Sequence, residues 1–493
     1  MSSIGVVAAT TALAIATSTI DIEDFRNQFW WVIILGVLLA FLLGFGMGAN
    51  DVANAYGTSV GSGVLSLIQA YILATIFEFL GAIFVGYNVI DTMRKGVIDI
   101  KVYNGSESEL LLGQVAILGG SSLWLLIATL ANLPISTTHS IVGATLGFTL
   151  VCKQTEGVHW ETVVNVVLSW FSSPFVSGLV TLVIYLVVDH AVLRRSDPIK
   201  WGLRSLPFFY SICLAFSCFV IFVDGTRLLH IPDLPIWADL LISAAVGVIT
   251  FLVIKFWLVK RLERKLWLMS DEEMSISDSS GSPDTSSSLP LDTAEKMDVA
   301  QPGPCGVGVK GFFGWLLPSK TRKDSAKTLE LFSMLQIFTA CFAGFSHGAN
   351  DVANSIAPLS ALIAIVSNYD ICQKEDTPIH VLIFGVVSIC VGLWTFGHRV
   401  IETVGTEMAE INSASGFSIE LGAAITGLVA SKLGMPISTT HCLVGSIVAV
   451  GKIKPGRGIS KKILINVLLS WVVTVPAAGL FSAFFMYMLK FTI

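Results

Sequence analysis

Two short patterns in this chain carry the residues able to do chemistry, and each occurs twice. Gly48-Ala49-Asn50-Asp51-Val52-Ala53-Asn54 returns as Gly348-Ala349-Asn350-Asp351-Val352-Ala353-Asn354, each copy following a long apolar run. Pro134-Ile135-Ser136-Thr137-Thr138-His139 returns at positions 436–441. An aspartate inside apolar sequence is costly and usually faces a cavity, where it meets a cation or a partner. Asn50, Asn54, Asn350 and Asn354 add neutral carbonyl oxygens beside Asp51 and Asp351. One carboxylate with amide oxygens on a glycine-loosened backbone suits a hard monovalent cation such as sodium. Oxygen-only donors disfavour a transition metal. The plainer alternative is that these residues cap or brace broken helices, and two identical copies weigh against it.

The second pattern reads as the start of a helix. Proline is tolerated in a first turn, and hydroxyl side chains satisfy the free backbone donors there. A helix N-terminus also offers unpaired N–H groups and partial positive charge, which together bind anions. Ser136, Thr137, Thr138, Ser438, Thr439 and Thr440 add hydroxyl donors, and Asn50 and Asn350 stand with them as candidate substrate-binding residues. Two such ends facing each other would hold a tetrahedral oxyanion. No Arg or Lys lies in the motif, so bound cations would supply the balancing charge. His139 and His441 read as residues that order the local fold. Glu78 and Glu420 stand within apolar sequence and are functional candidates on that ground. Glu420, near a segment end, also fits interfacial snorkelling, and Lys432 is left without a role.

The elements that must position these residues are membrane helices. Of 493 residues, 54% are hydrophobic and 13% charged, against about a quarter charged in a typical soluble domain. Mean hydropathy is +0.76. The fold class is an all-α polytopic membrane protein. A net charge of -5 argues for no nucleic-acid partner. The eight cysteines are scattered without a C-x-x-C pair, so neither a zinc site nor a disulfide framework is indicated. No catalytic metal cluster, nucleophile elbow or P-loop is found, so neither an enzyme nor a cofactor is expected.

Full spans are predicted near 29–47, 69–90, 160–188, 206–223, 236–259, 331–347, 379–398 and 463–489. Two further pairs, 111–131 with 135–151 and 419–433 with 437–451, are joined only by a Pro-containing joint. They read as re-entrant hairpins or broken helices, bringing the total to about 12 membrane segments. Non-helical backbone at that depth needs protein or a watery cavity around it. The chain divides into a non-cytoplasmic, uncleaved N-terminal segment (1–28), a first repeat (29–190), intervening spans (191–261), a disordered Ser/Asp-rich cytoplasmic linker (262–330) and a second repeat (331–493). In the linker, Ser270 before Asp271-Glu272-Glu273 fits phosphorylation. Asn104-Gly105-Ser106 is a glycosylation sequon, marking an outer loop. Arg194-Arg195, Lys260-Arg261 and Arg264-Lys265 lie at span ends and belong in the cytoplasm. Both signals place the two termini outside.

The duplication extends beyond the two motifs. GYNVIDT (86–92) is matched by GHRVIET (397–403), and NVVLSW (165–170) by NVLLSW (466–471). The first half begins outside and the second at the cytoplasmic linker, so equivalent segments cross in opposite directions. Inverted repeats of this kind build secondary transporters, with substrate held near the midplane at the repeat interface. Together the motifs predict cation-coupled uptake of a small oxyanion.

GANDVAN twice with PISTTH twice, in two halves around a hydrophilic linker, resembles the inorganic phosphate transporter (PiT) family. The stretches ILATIFEFLGAIFVGYNVIDTMRKGVIDI and GFSIELGAAITGLVASKLGMPISTTHCLVGSIVAV look most like the animal type III sodium–phosphate symporters. The resemblance implies a plasma-membrane importer that carries monovalent phosphate with two sodium ions. It implies that Asp51 and Asp351 are needed for transport, that Ser136 and Ser438 are the motif hydroxyls, and that Glu78 and Glu420 serve phosphate transport and sodium coupling. It also implies a homodimer in the lipid bilayer. Thr137 replaces a glycine common in the first motif of animal members, and Gln114 stands where some relatives carry glutamate, which bears on the coupling role of the first hairpin. A proton-coupled phosphate or sulfate permease of the same fold is the rival reading, and animal members also double as virus receptors or phosphate sensors.

Overall fold

Long apolar runs of strong helix formers leave few backbone groups to satisfy outside a helix, so helices form and polar or proline residues mark their ends. The computed structural model describes residues 2–95, 97–223, 234–266, 268, 309–368, 377–432 and 437–493, with backbone alone for 2–22, 85–95, 309–310 and 431–432. In chain order the helices are α1 (Ser2–Asp51), α2 (Ala53–Gly61), α3 (Leu67–Lys95), α4 (Glu107–Leu130), α5 (Thr137–Lys153), α6 (Trp160–Val188) and α7 (Pro198–Phe222). They continue as α8 (Ile236–Val253), α9 (Val309–Leu316), α10 (Ala326–Asn368), α11 (Ile379–Glu402), α12 (Ser413–Lys432), α13 (Thr439–Ile453) and α14 (Lys461–Leu489). Asp197 caps α7 by accepting from the Lys200 N–H, with Pro198 in the first turn, and Pro235 and Pro378 hold extended backbone before α8 and α11. No strand occurs among the described residues, where only the bridge between Ile98 and Val158 pairs extended backbone.

Ten helical stretches of the described residues are long and apolar enough to cross a membrane. They include both first arms of the expected hairpins, α4 and α12. The second arms, α5 with 17 residues and α13 with 15, fall short of the ~20 residues a span needs. The hairpin joint at Pro134, Ile135 and Ser136 is buried, so its non-helical backbone is surrounded by protein. Met435 and Pro436 of the second joint, the Lys432 side chain, the side chains of 86–92 and Ser270 lie outside the described residues.

Three boundaries differ from the sequence expectation. α1 is one helix from Ser2, so no break separates an N-terminal segment from the first span. α10 runs for 43 residues, a length of ~65 Å, beginning before 331 and carrying its GANDVAN copy unbroken. The linker was expected to be structureless from 262 to 330. It holds helical residues at 262–266, the short α9 and the first turn of α10. VKGFFGWL is apolar and helical, and Arg194 pins it by donating to the Trp315 and Leu316 carbonyls.

Helix packing is reciprocal between the halves. α1 packs along α11 and α10 along α3, while α5 packs along α14 and α13 along α6. Each repeat therefore completes the other, and α7 with α8 forms a separate pair against α10. One glycine in each motif allows the closest approach. A Cβ on Gly48 would strike the backbone of Ile389 on α11, and one on Gly348 would strike the backbone of Glu78 on α3.

The two ends of the bundle are distinct. Near one end Lys153 pairs with Glu109 at 2.9 Å, Lys490 reaches Glu109 at 3.4 Å, and Arg26 donates to the Val366 carbonyl at 3.2 Å. Asn104 belongs to this end. At the other, Lys265 pairs with Glu330 at 2.5 Å and the Ser460 N–H donates to Met408 O at 2.9 Å. Arg194 belongs there, at the far end of α6.

Candidate functional site

The two aspartates are fixed by different local events. α1 ends at Asp51, and one turn residue, Val52, separates it from α2. Asp351 instead lies mid-way along unbroken α10. Both are buried. Oxygens of Asp51 and Asp351 and a nitrogen of His347 lie within 4.8 Å of one another. The two GANDVAN copies thus build one shared cluster.

His347 sits one turn before Asp351. Its Nε2 lies 2.7 Å from Asp351 Oδ2 and its Nδ1 3.2 Å from Glu78 Oε1. Both ring nitrogens face a carboxylate, and an imidazolium carries an N–H on each, whereas a neutral ring carries one. Sequence reading missed this residue. The available signal was asymmetry: the place equivalent to His347, four before the aspartate, is Met47 in the first copy. Asp51 Oδ1 is buried without a hydrogen-bond partner. Three carboxylates around one imidazole leave a negative excess that a small cation would neutralise.

The starts of α5 and α13 close on the cluster. Thr137 donates its hydroxyl to Asp51 Oδ2, and Thr439 donates to Asp351 Oδ2 at 3.4 Å. The asparagines cross between repeats. Asn54 Nδ2 donates to Thr440 Oγ1 at 2.9 Å and Thr439 Oγ1 at 3.4 Å, while Asn354 Nδ2 donates to Thr138 Oγ1 at 3.2 Å. Asn354 also reaches Asp351 Oδ1 at 3.1 Å. Ser136 and Ser438 cap their helices, each Oγ accepting the histidine N–H three residues on at 3.3 Å. A capping oxygen keeps its own O–H proton available to donate, so capping and anion binding are compatible here.

Asn50 is used differently from the expectation that it faces substrate. Its Nδ2 donates to Leu133 O at 2.9 Å and Thr129 Oγ1 at 3.1 Å, and its Oδ1 accepts the Ile135 N–H at 3.0 Å. The buried joint of the first hairpin has backbone groups that no helix satisfies, and Asn50 satisfies two of them. Asn350 holds the equivalent place on α10 and is half-buried.

His139 and His441 stand behind the site. Their rings meet at 4.8 Å, His441 stacks on Trp471 at 3.7 Å, and His139 faces Trp170 at 6.0 Å. The two hairpin arms therefore abut through a buried aromatic stack.

Glu420 occupies a second polar nest away from the aspartates. Its Oε1 accepts from Thr58 and Ser59 at 2.6 Å each and from Gln336 Nε2 at 3.0 Å, and Oε2 accepts from Thr339 at 2.7 Å. These donors come from α2 and α10, and sequence spacing did not reveal them. Snorkelling is excluded, because Glu420 is 1% exposed. A cavity of about 20 Å³ reaches Asn354 from the end that carries Asn104, with Gln114 and Thr145 in its wall. That volume holds about one water.

A bundle of membrane-length helices, with carboxylates from both repeats converging on facing helix starts, defines a multi-pass membrane transport protein. A family model described as the phosphate transporter family matches residues 47–482. Sodium-dependent phosphate transporter 2 of Xenopus tropicalis is 33% identical, over 94% of this chain and 99% of its own length. Sodium-dependent phosphate transporter 1 of Felis catus is 32% identical over 98% and 99%. A solved structure of a sodium-dependent phosphate transporter is similar with a TM-score of 0.75 and 31% identity, covering 94% of this chain and all of that one. The chain belongs to the phosphate transporter family and is a transport protein, not an enzyme.

Proposed function

We propose that this chain imports inorganic phosphate across the plasma membrane with sodium, by alternating access. The observation that carries the reading is the convergence of Asp51 and Asp351 on the starts of α5 and α13. Sodium at the aspartate cluster neutralises the carboxylates. It also adds positive charge beside the helix starts, where Ser136, Thr137, Thr138, Ser438, Thr439, Thr440 and the two N-termini hold phosphate. In this assignment Asp51, Asn54, Asp351 and Asn354 serve sodium, and Glu78 and Glu420 couple the two. Monovalent phosphate with two sodium ions is the cargo that the family resemblance implies. The relatives and the solved structure, named for sodium-dependent phosphate transport, support the substrate pair.

The reciprocal packing supports two repeats that cross the membrane in opposite directions, with residues 29–190 and 331–493 as the units. Loading both ions lets the hairpin helices move against the rest, opening the site to the cytoplasm. Glycosylated Asn104 and both termini lie outside, the linker inside, and the unit in the membrane is a homodimer.

One feature favours proton coupling instead, namely the line from Glu78 through His347 to Asp351. Radiolabelled phosphate uptake with sodium replaced by choline, at two pH values, separates the readings. Loss of uptake without sodium at both values supports sodium symport. Uptake that survives in choline and grows in acid supports proton symport and removes the sodium assignment.

A further inference from the structure

α9 turns an apolar face outward. Phe312, Phe313 and Trp315 are 48%, 50% and 40% exposed, and Leu317 just beyond them is 37% exposed. An eight-residue helix does not stand alone in water, and polar contacts to the end of α6 pin this one. Arg194 donates from Nη1 to Trp315 O at 2.5 Å and from Nη2 to Leu316 O at 3.0 Å, and the Trp315 ring meets His190 at 5.0 Å. Arg194 is itself held by the fully buried carboxylate of Asp189, which also pairs with Arg322.

The place where α9 is pinned identifies what covers its aromatic face. α6 presents an exposed stripe of Phe171, Phe175, Leu179, Val183 and Val187, the side of a spanning helix that meets lipid. α9 sits one turn past Val187, where that stripe ends and hydrocarbon gives way to headgroups. Exposed Arg195, Lys200, Arg204 and Lys323 flank this end of the chain. Arg195 and Arg204 bracket Trp201 at 4.8 and 5.5 Å. Tryptophan beside arginine and lysine is the composition of a membrane–water boundary, and basic clusters there attract anionic lipids.

We propose that α9 is an interfacial anchor and anionic-phospholipid site. Phe312, Phe313 and Trp315 enter the headgroup–acyl boundary of the membrane that the chain spans. Arg195, Lys200, Arg204 and Lys323 bind its acidic headgroups. The anchor reaches the transport site through Lys320, which donates to Lys452 O at 2.5 Å and Lys454 O at 3.3 Å. Those carbonyls lie at the C-terminus of α13, the arm that carries Thr439 and Thr440. Lipid bound at α9 therefore tethers the foot of that arm.

The test uses full-length protein in nanodiscs of phosphatidylcholine, alone or mixed with phosphatidylserine, with a photoactivatable phosphatidylserine as the probe. Adducts are mapped by mass spectrometry. In the wild type they fall on peptides covering 309–324. F312S/F313S/W315S, monodisperse on gel filtration, lowers that labelling by fivefold or more, as loss of three buried rings should, whereas F312L/F313L/W315L keeps it. R195Q/R204Q keeps the aromatic insertion but lowers the preference for phosphatidylserine by about fivefold per charge removed. Wild-type labelling absent from 309–324, or unchanged in the serine variant, overturns the anchor. So do cross-links of 309–324 to the acidic stretch 269–308, or to a second copy, in place of lipid.

Discussion

Asp51 and Asp351, 300 residues apart in sequence, bring carboxylate oxygens within 4.8 Å of each other and share one histidine. Like charges that close demand a cation between them or a proton on one of them. Asp51→Asn or Asp351→Asn removes one charge without changing shape. Each is expected to lower sodium-driven phosphate uptake at least about tenfold, the equivalent of ~1.4 kcal/mol of lost binding, with surface expression unchanged. Normal uptake by both variants at the cell surface would rule out the cluster as the coupling site.

His347 bridges Glu78 and Asp351, so its replacement separates a bracing role from a charge role. His347→Ala leaves both carboxylates unpaired. His347→Gln keeps hydrogen bonding but not positive charge. If charge matters, both lose uptake, and His347→Gln loses it as fully as His347→Ala. Full recovery of uptake in His347→Gln would leave His347 a brace only.

Glu420 draws four side-chain donors from α2 and α10. All four groups donate, so the nest is built around two acceptor oxygens. Glu420→Gln turns one oxygen into an NH2 group that faces donors. The expected result is a higher sodium requirement for uptake, with Thr339→Ala shifting it the same way to a smaller degree. A sodium-activation curve for Glu420→Gln that overlays the wild type would make the nest purely structural.

Gly348→Ala drives a methyl group into the backbone of Glu78, and Gly48→Ala does the same at Ile389. Overpacking of this kind costs roughly 1–3 kcal/mol, read as a lower melting temperature in detergent. Gly427→Ala, with nothing within 4 Å of the new methyl, should melt at or above the wild type. Equal melting of Gly348→Ala and Gly427→Ala would refute the close-approach argument.

Asn104 is exposed at the end of the bundle where Lys490 meets Glu109. Orientation is therefore testable from both sites at once. Asn104→Gln should abolish a glycosidase-sensitive mass shift, and an epitope after Ile493 should stain intact cells. Staining only after permeabilisation would invert the topology.

Much of this site was legible in the residues alone. Asp51, Asp351 and the hydroxyl runs at 136–138 and 438–440 stood out because a membrane makes polar groups expensive, and repetition marked them twice. The helix starts at Thr137 and Thr439 followed from local capping chemistry, which acts within a turn. The sequence could not reveal what depends on which helices touch. His347 became part of the cluster because α10 packs along α3, bringing Glu78 to its far nitrogen. Asn50 turned from substrate to the hairpin joint because buried backbone at Leu133 and Ile135 had no nearer partner. Asn54 and Asn354 found threonines of the opposite repeat, and Glu420 found donors on α2 and α10. Local patterns decide where a helix begins and which residues must hide. Which hidden groups meet is a property of packing between distant segments, and for this chain only the tertiary structure decided it.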